Sequence, residues 1–109
     1  SMMPVLKEKK RYLLFEIISP VKFSAEEVKF TVEEGVKRFL GELGLAKAGA
    51  MFISEKWDFT KQRGLLKISH KLVDEVIAAL ILIKSIKNRE VIFRSVKVTG
   101  TVKKSKSIK

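Results

Sequence analysis

The segment Arg11-Tyr-Leu-Leu-Phe-Glu-Ile-Ile-Ser19 is dense in aromatic and branched side chains and stops at Pro20. That composition, bounded by a proline, predicts a central β-strand buried on much of both faces. The period of the pattern then changes from two to 3.6. Ser24-Ala-Glu-Glu27 has the form of a capping box opening a helix. In that helix Val28, Val32, Val36, Phe39, Leu40 and Leu43 fall within a stripe about 120° wide at about 100° per residue. The stripe is the expected core face; Phe30 lies opposite it, and Gly41 and Gly44 offer stopping points. A second strand is expected over residues 49–56, a polar turn over 58–62 and a third strand over 64–69. A second helix is expected from Ser69 or His70 to about Ile86, then a turn at Asn88 and Arg89, then a long last strand over 91–102.

The order βαββαβ, with short connections and right-handed crossovers, predicts an α/β (α+β) fold of the ferredoxin-like or RRM-like kind. Four antiparallel strands should form one sheet packed on two helices. The 109 residues fit a single domain with one modest core. Its bounds are set at residues 11–102, with a basic N-terminal arm over 1–10 and a basic flexible tail over 103–109. Ser1 ahead of Met2 and Met3 reads as a remnant of expression and is left out of the fold argument.

The second helix carries more apolar surface than one core can take. Leu72, Val76, Ala79, Leu80 and Ile83 make a core stripe, while Lys71, Asp74, Glu75 and Ala78 occupy the far side of the first turns. Ile81 and Leu82 then take the flanks of that far side, and Ile77 borders it. Burying such a side chain is worth about 1.5–3 kcal/mol, so a protein interface is expected at Phe30, Ile77, Ile81 and Leu82. Packing of these residues against the chain's own termini is the competing reading.

Charge changes the picture further. Lys and Arg number 23 against 12 Asp and Glu, a formal net charge of +11. Such an excess attracts polyanions, nucleic acid above all. A membrane surface would require an amphipathic helix with basic residues rimming an exposed apolar face, and neither helix has that layout. The cations cluster before the first strand (Lys9, Lys10, Arg11), around the third (Arg63, Lys67, Lys71) and along the C-terminal part (Arg94, Lys97, Lys103, Lys104); these are the candidate RNA contacts. Because the first and third strands are central neighbours in this fold, their clusters should join across the sheet. The third strand lacks aromatic residues, and Tyr12 and Phe15 point to opposite faces of the first. Contacts to phosphate and to RNA shape are therefore expected in place of base stacking.

Catalytic chemistry has little to build on. The chain has one histidine, no cysteine and no evident carboxylate pair, and no metal-ligand spacing or Gly-rich phosphate loop. His70, at the junction of third strand and second helix, reads as a capping or surface residue. A small phosphatase of the same fold would need a Gly- and Arg-bearing loop after the first strand, where this chain has Ser19-Pro-Val-Lys-Phe23.

Three segments, Arg11-Tyr-Leu-Leu-Phe-Glu-Ile-Ile-Ser19, Gly64-Leu-Leu-Lys-Ile-Ser-His70 with the Ala-Ala-Leu-rich helix after it, and Val98-Thr-Gly-Thr-Val-Lys103, occur in one order and spacing. In this the chain resembles the ribonuclease P protein component 2 family, shared by archaeal and eukaryotic ribonuclease P and by ribonuclease MRP. The compact length, without a long acidic C-terminal extension, is similar to the archaeal members. The resemblance implies a non-catalytic, cytoplasmic subunit of the enzyme that removes 5′ leaders from precursor tRNA. Cleavage would belong to the RNA subunit and its magnesium ions, with no cofactor bound by this chain. The implied partners are ribonuclease P RNA, precursor tRNA and the TIM-barrel protein component 3, with two such protein pairs joining through component 2 as a homodimer within a heterotetramer; no membrane is implied. The alternative is a ribosomal or other ribonucleoprotein scaffold of the same fold.

Overall fold

A computed structural model describes residues 9–100. In chain order the elements are β1 (Lys10–Ile18), α1 (Ala25–Ala48), β2 (Met51–Phe52), β3 (Arg63–Ser69), α2 (Val73–Ile81), β4 (Ser85–Ile86), β5 (Arg89–Glu90) and β6 (Ile92–Thr99). The main sheet has the order β2-β3-β1-β6 and all its pairs are antiparallel, which is the ferredoxin-like arrangement. The strand β1, richest in branched and aromatic side chains, lies at the centre as expected.

Helix α1 starts at the capping box. Ser24 Oγ accepts from the Glu27 N–H at 3.2 Å, and Glu27 Oε1 accepts from the Ser24 N–H at 2.9 Å. Val28, Val32 and Val36 are buried as the stripe predicts, but Phe39 and Leu43 are exposed. The helical path breaks at Gly41 (φ 80°, ψ 171°), and Leu45 and Ala48 turn to the core in the segment beyond it. A single phase drawn through Gly41 therefore overstates the core face.

Two expectations need correction. The second strand is two residues long, not eight: within residues 53–56 the Ile53 N–H alone still pairs with β3, at Leu65 O, and Ser54–Lys56 turns as a 3₁₀ helix. This turn places Trp57 against Phe15 and Phe52, with ring centroids 6.3 and 6.0 Å apart. The second helix begins after a 3₁₀ turn at His70–Leu72 and ends at Ile81, not near Ile86. Residues 84–91 instead form a small hairpin, β4 with β5, whose Lys87 and Asn88 both have positive φ (50° and 66°). Ile83, which ends the apolar run just before this hairpin, and Ile86, within it, lie beyond the helix and enter the core.

The core lies between one face of the sheet and the two helices. It takes Leu13, Phe15 and Ile17 from β1, Leu66 and Ile68 from β3, and Phe93 from β6. Gly64 lies opposite Phe15, and a Cβ there would stand 2.8 Å from Trp57 and 3.0 Å from the Phe15 ring. Gly35 serves the helix crossing likewise, since a Cβ would fall 2.5 Å from Ile83 Cδ1. Gln62 is the polar keystone that the pattern reading placed in an ordinary turn. Buried and at φ 54°, its side chain donates to Phe23 O and Phe59 O and accepts from the Phe23 N–H, while its own carbonyl accepts from the Ile17 N–H.

Candidate nucleic-acid interface

The second face of the sheet takes no part in the core cluster. Paired residues of an antiparallel ladder point to the same side, so its composition follows from the register. One rung holds Arg63, Glu16 and Arg94; the next holds Leu65, Leu14 and Lys97. A third holds Met51, Lys67, Tyr12 and Thr99, and a fourth Lys10 with Ser69. Arg94 and Lys97 are three apart and would face opposite ways in a regular strand. The register shift between Leu14 and Phe15 leaves Val96 as an extra residue on β6 and returns Lys97 to the side of Arg94. Five cations (Lys10, Arg63, Lys67, Arg94 and Lys97) thus share this face, and Glu16 is the one acid among its strand residues.

Glu16 sits between the two arginines. Its Oε1 accepts from Arg94 Nη2 at 2.6 Å and Nε at 3.2 Å. Its Oε2 is 3.5 Å from Arg63 Nε, an ion pair without hydrogen-bond geometry, and that Nε is buried with no hydrogen-bond partner. The hydrogen bond from Arg94 outweighs the partial burial that opposes it, and with the field of both guanidiniums holds the Glu16 carboxyl below the usual carboxylate range. Glu16 was not among the expected site residues. The signal was present in the sequence, as a lone acid within an otherwise apolar central strand.

The sheet gathers the two clusters expected to join, apart from three members. Arg11, one residue from Lys10 and Tyr12, points to the other side opposite Ile68, and its guanidinium donates to Lys10 O. Lys9 precedes β1 and is exposed; Lys71 is exposed on the 3₁₀ turn. Lys103 and Lys104 lie outside the described residues. His70 is exposed on that turn, and its N–H donates to Lys9 O.

Apolar surface is exposed on the helical side. A groove of about 760 Å³ runs between α1 and the end of α2, with Phe30, Thr31 and Leu82 on its walls and acidic Glu26 and Glu34 beside them. Phe30 is 66% exposed and Ile81 and Leu82 are 50% and 51% exposed, whereas Ile77 is partly buried against the core. Lys87 Nζ lies 3.3 Å from Glu27 Oε2 and ties the hairpin to the start of α1 at the groove's edge. Exposed Phe39 and Leu43, assigned to the core by helical phase, extend the apolar surface of α1.

The chain is thus a small α/β protein of the ferredoxin-like sandwich class, with a basic sheet face outside its core. Among the described residues no helix is long and apolar enough to cross a membrane. The chain belongs to the Rpp14/Pop5 family, whose model matches residues 11–108. Ribonuclease P protein component 2 of Pyrococcus furiosus is 38% identical over 103 residues, covering 94% of this chain and 84% of the relative. The Thermococcus gammatolerans protein of the same name is 39% identical with the same coverage, and that of Methanocaldococcus jannaschii 34%, covering 94% and 74%. A chain in the cryo-EM structure of yeast ribonuclease MRP shares the fold, with a TM-score of 0.69 at 11% identity over 92% of this chain and 80% of that one. The chain is accordingly a protein subunit of the ribonuclease P ribonucleoprotein, a tRNA-processing endoribonuclease.

Proposed function

We propose that the sheet face outside the core binds RNA by its phosphates, and that the apolar groove on the helical side receives a second protein subunit. The observation that carries the RNA reading is the gathering of Lys10, Arg63, Lys67, Arg94 and Lys97 on one face, with Glu16 the one acid among the strand residues of that face. On this reading the RNA is that of ribonuclease P and its precursor tRNA, and the chain supports the RNA as it removes 5′ leaders in the cytoplasm. The magnesium ions used in cleavage are held by the RNA. The protein partner is the TIM-barrel component 3, with two such pairs joined through this chain in a heterotetramer.

The RNA reading is tested by titrating the full chain with ribonuclease P RNA at several salt concentrations. Neutralised phosphates release counterions, so log affinity should fall linearly with log salt by about 0.7–0.9 for each phosphate contacted. An affinity unchanged between dilute and physiological buffer would contradict it. The partner reading makes a separate prediction. Ile81→Glu or Leu82→Glu should abolish association with component 3 while the chain keeps its helical circular dichroism, because each side chain is half exposed. Unfolding of either variant would show that these side chains belong to the chain's own core.

A further inference from the structure

Glu16 is at odds with the face it occupies. A carboxylate in the middle of a phosphate-binding surface repels the ligand that its neighbours attract, and β1 could carry a threonine or tyrosine there without harm to the sheet. Its geometry shows what it does instead. The Nε and Nη2 atoms of a guanidinium form the fork edge that grips a phosphate or carboxylate in two parallel bonds. On Arg94 that edge is filled by Glu16 Oε1, at 3.2 and 2.6 Å. The Nε of Arg63 is turned to the other oxygen of the same carboxylate at 3.5 Å. One carboxylate thus serves two guanidiniums on either side of β1, and serves only Arg94 well.

We propose that Glu16 is an internal competitor for RNA phosphate: it holds the fork of Arg94 and the Nε of Arg63 in the RNA-free chain, and a backbone phosphate must displace it to use them. The inference rests on the reading of this face as an RNA site. Glu16 offsets one of the two guanidinium charges it lies between, so the carboxylate holds RNA affinity below the level the arginines alone would give. Glu16 is ionised at neutral pH, and the two guanidiniums push its pKa further from neutrality. Asp58, paired with Arg63 across the turn, stands at the end of the same rung, but its Oδ1 accepts from the Lys61 N–H and it forms none of the ion pairs among the described residues. Lys67 and Lys97, on the neighbouring rungs, have no ion pair among those formed by the described residues and meet RNA without a competitor.

The test compares the full-length wild type with Glu16→Gln and Glu16→Thr, titrating a 20-nucleotide single-stranded oligouridylate and checking each variant's melting curve. Removal of one repelling charge a few ångströms from a phosphate should tighten binding about three- to tenfold at low salt. It should also steepen the plot of log affinity against log salt by about 0.7, for one more phosphate neutralised. In the triple variant E16Q/R63Q/R94Q the gain should vanish. Unchanged or weaker binding by folded E16Q and E16T would overturn the proposal, and weaker binding would show that Glu16 positions the arginines. A Lys67→Glu/Lys97→Glu chain run alongside separates the two levels of the argument. If it binds poorly while E16Q is neutral, only the competitor role falls; if both bind as the wild type does, the RNA reading of the face falls with it.

Discussion

Phe15→Ala is expected to remove about 3–5 kcal/mol of folding stability, a large share of the roughly 5–15 kcal/mol that holds a domain together. Phe15 is fully buried at the centre of β1. Its ring meets those of Phe52, Trp57 and Phe93 at centroid distances of 6.3, 6.3 and 5.8 Å. The neighbours on all three sides belong to different elements and cannot collapse into the space together, so the loss includes a cavity as well as transfer of the ring. Trp57 is the one tryptophan of the chain, and its fluorescence in a urea titration reports on this cluster directly. Phe30→Ala, at an exposed position, should lie within about 0.5 kcal/mol of the wild type. A loss below about 1 kcal/mol for Phe15→Ala would show that the aromatic cluster does not organise the core.

The largest functional effect should come from Lys67→Glu/Lys97→Glu. The two lysines sit on neighbouring rungs of the basic face, on the strands either side of β1. Each reversal removes a phosphate contact and adds a repulsion, so RNA affinity at moderate salt should fall on the order of 100-fold and the salt slope by about 2. Lys29→Glu/Lys47→Glu makes the same change in net charge on exposed positions of α1. If only the total charge of +11 mattered, the two double variants would weaken binding equally. If the face is the site, the α1 variant should stay within a few-fold of the wild type.

Much of this surface was legible from the order of residues. The density of branched and aromatic side chains marked β1, the capping box marked the start of α1, and parity placed Tyr12 and Phe15 on opposite faces. The joining of the basic clusters of β1 and β3 followed from the topology, and the register bears it out for Lys10, Arg63 and Lys67. Arg11 escaped because a cluster in sequence is split by alternation in a strand. The alignment of Arg94 with Lys97 was not legible, since a bulge arises from pairing with a partner strand and leaves no mark in a single strand's pattern. The end of α2 failed for a different reason. An unbroken apolar run from Val76 to Ile83 is compatible with a helix throughout, and only the hairpin turn at Lys87 and Asn88 shows why Ile83 and Ile86 reach the core by another route. That early end also reduces the surplus apolar surface of the second helix to Ile81 and Leu82.

Reconstitution of ribonuclease P asks whether the basic sheet face supports the RNA. The RNA subunit with the TIM-barrel protein would be assayed for cleavage of precursor tRNA at moderate salt, alone, with this chain, and with its Lys67→Glu/Lys97→Glu form. Cleavage should rise on addition of the wild type and fall back towards the unsupplemented rate with the variant, whose fold is checked by its melting curve. Equal stimulation by the wild type and the charge-reversed form would contradict the account, because the basic sheet face would then have no part in supporting the RNA.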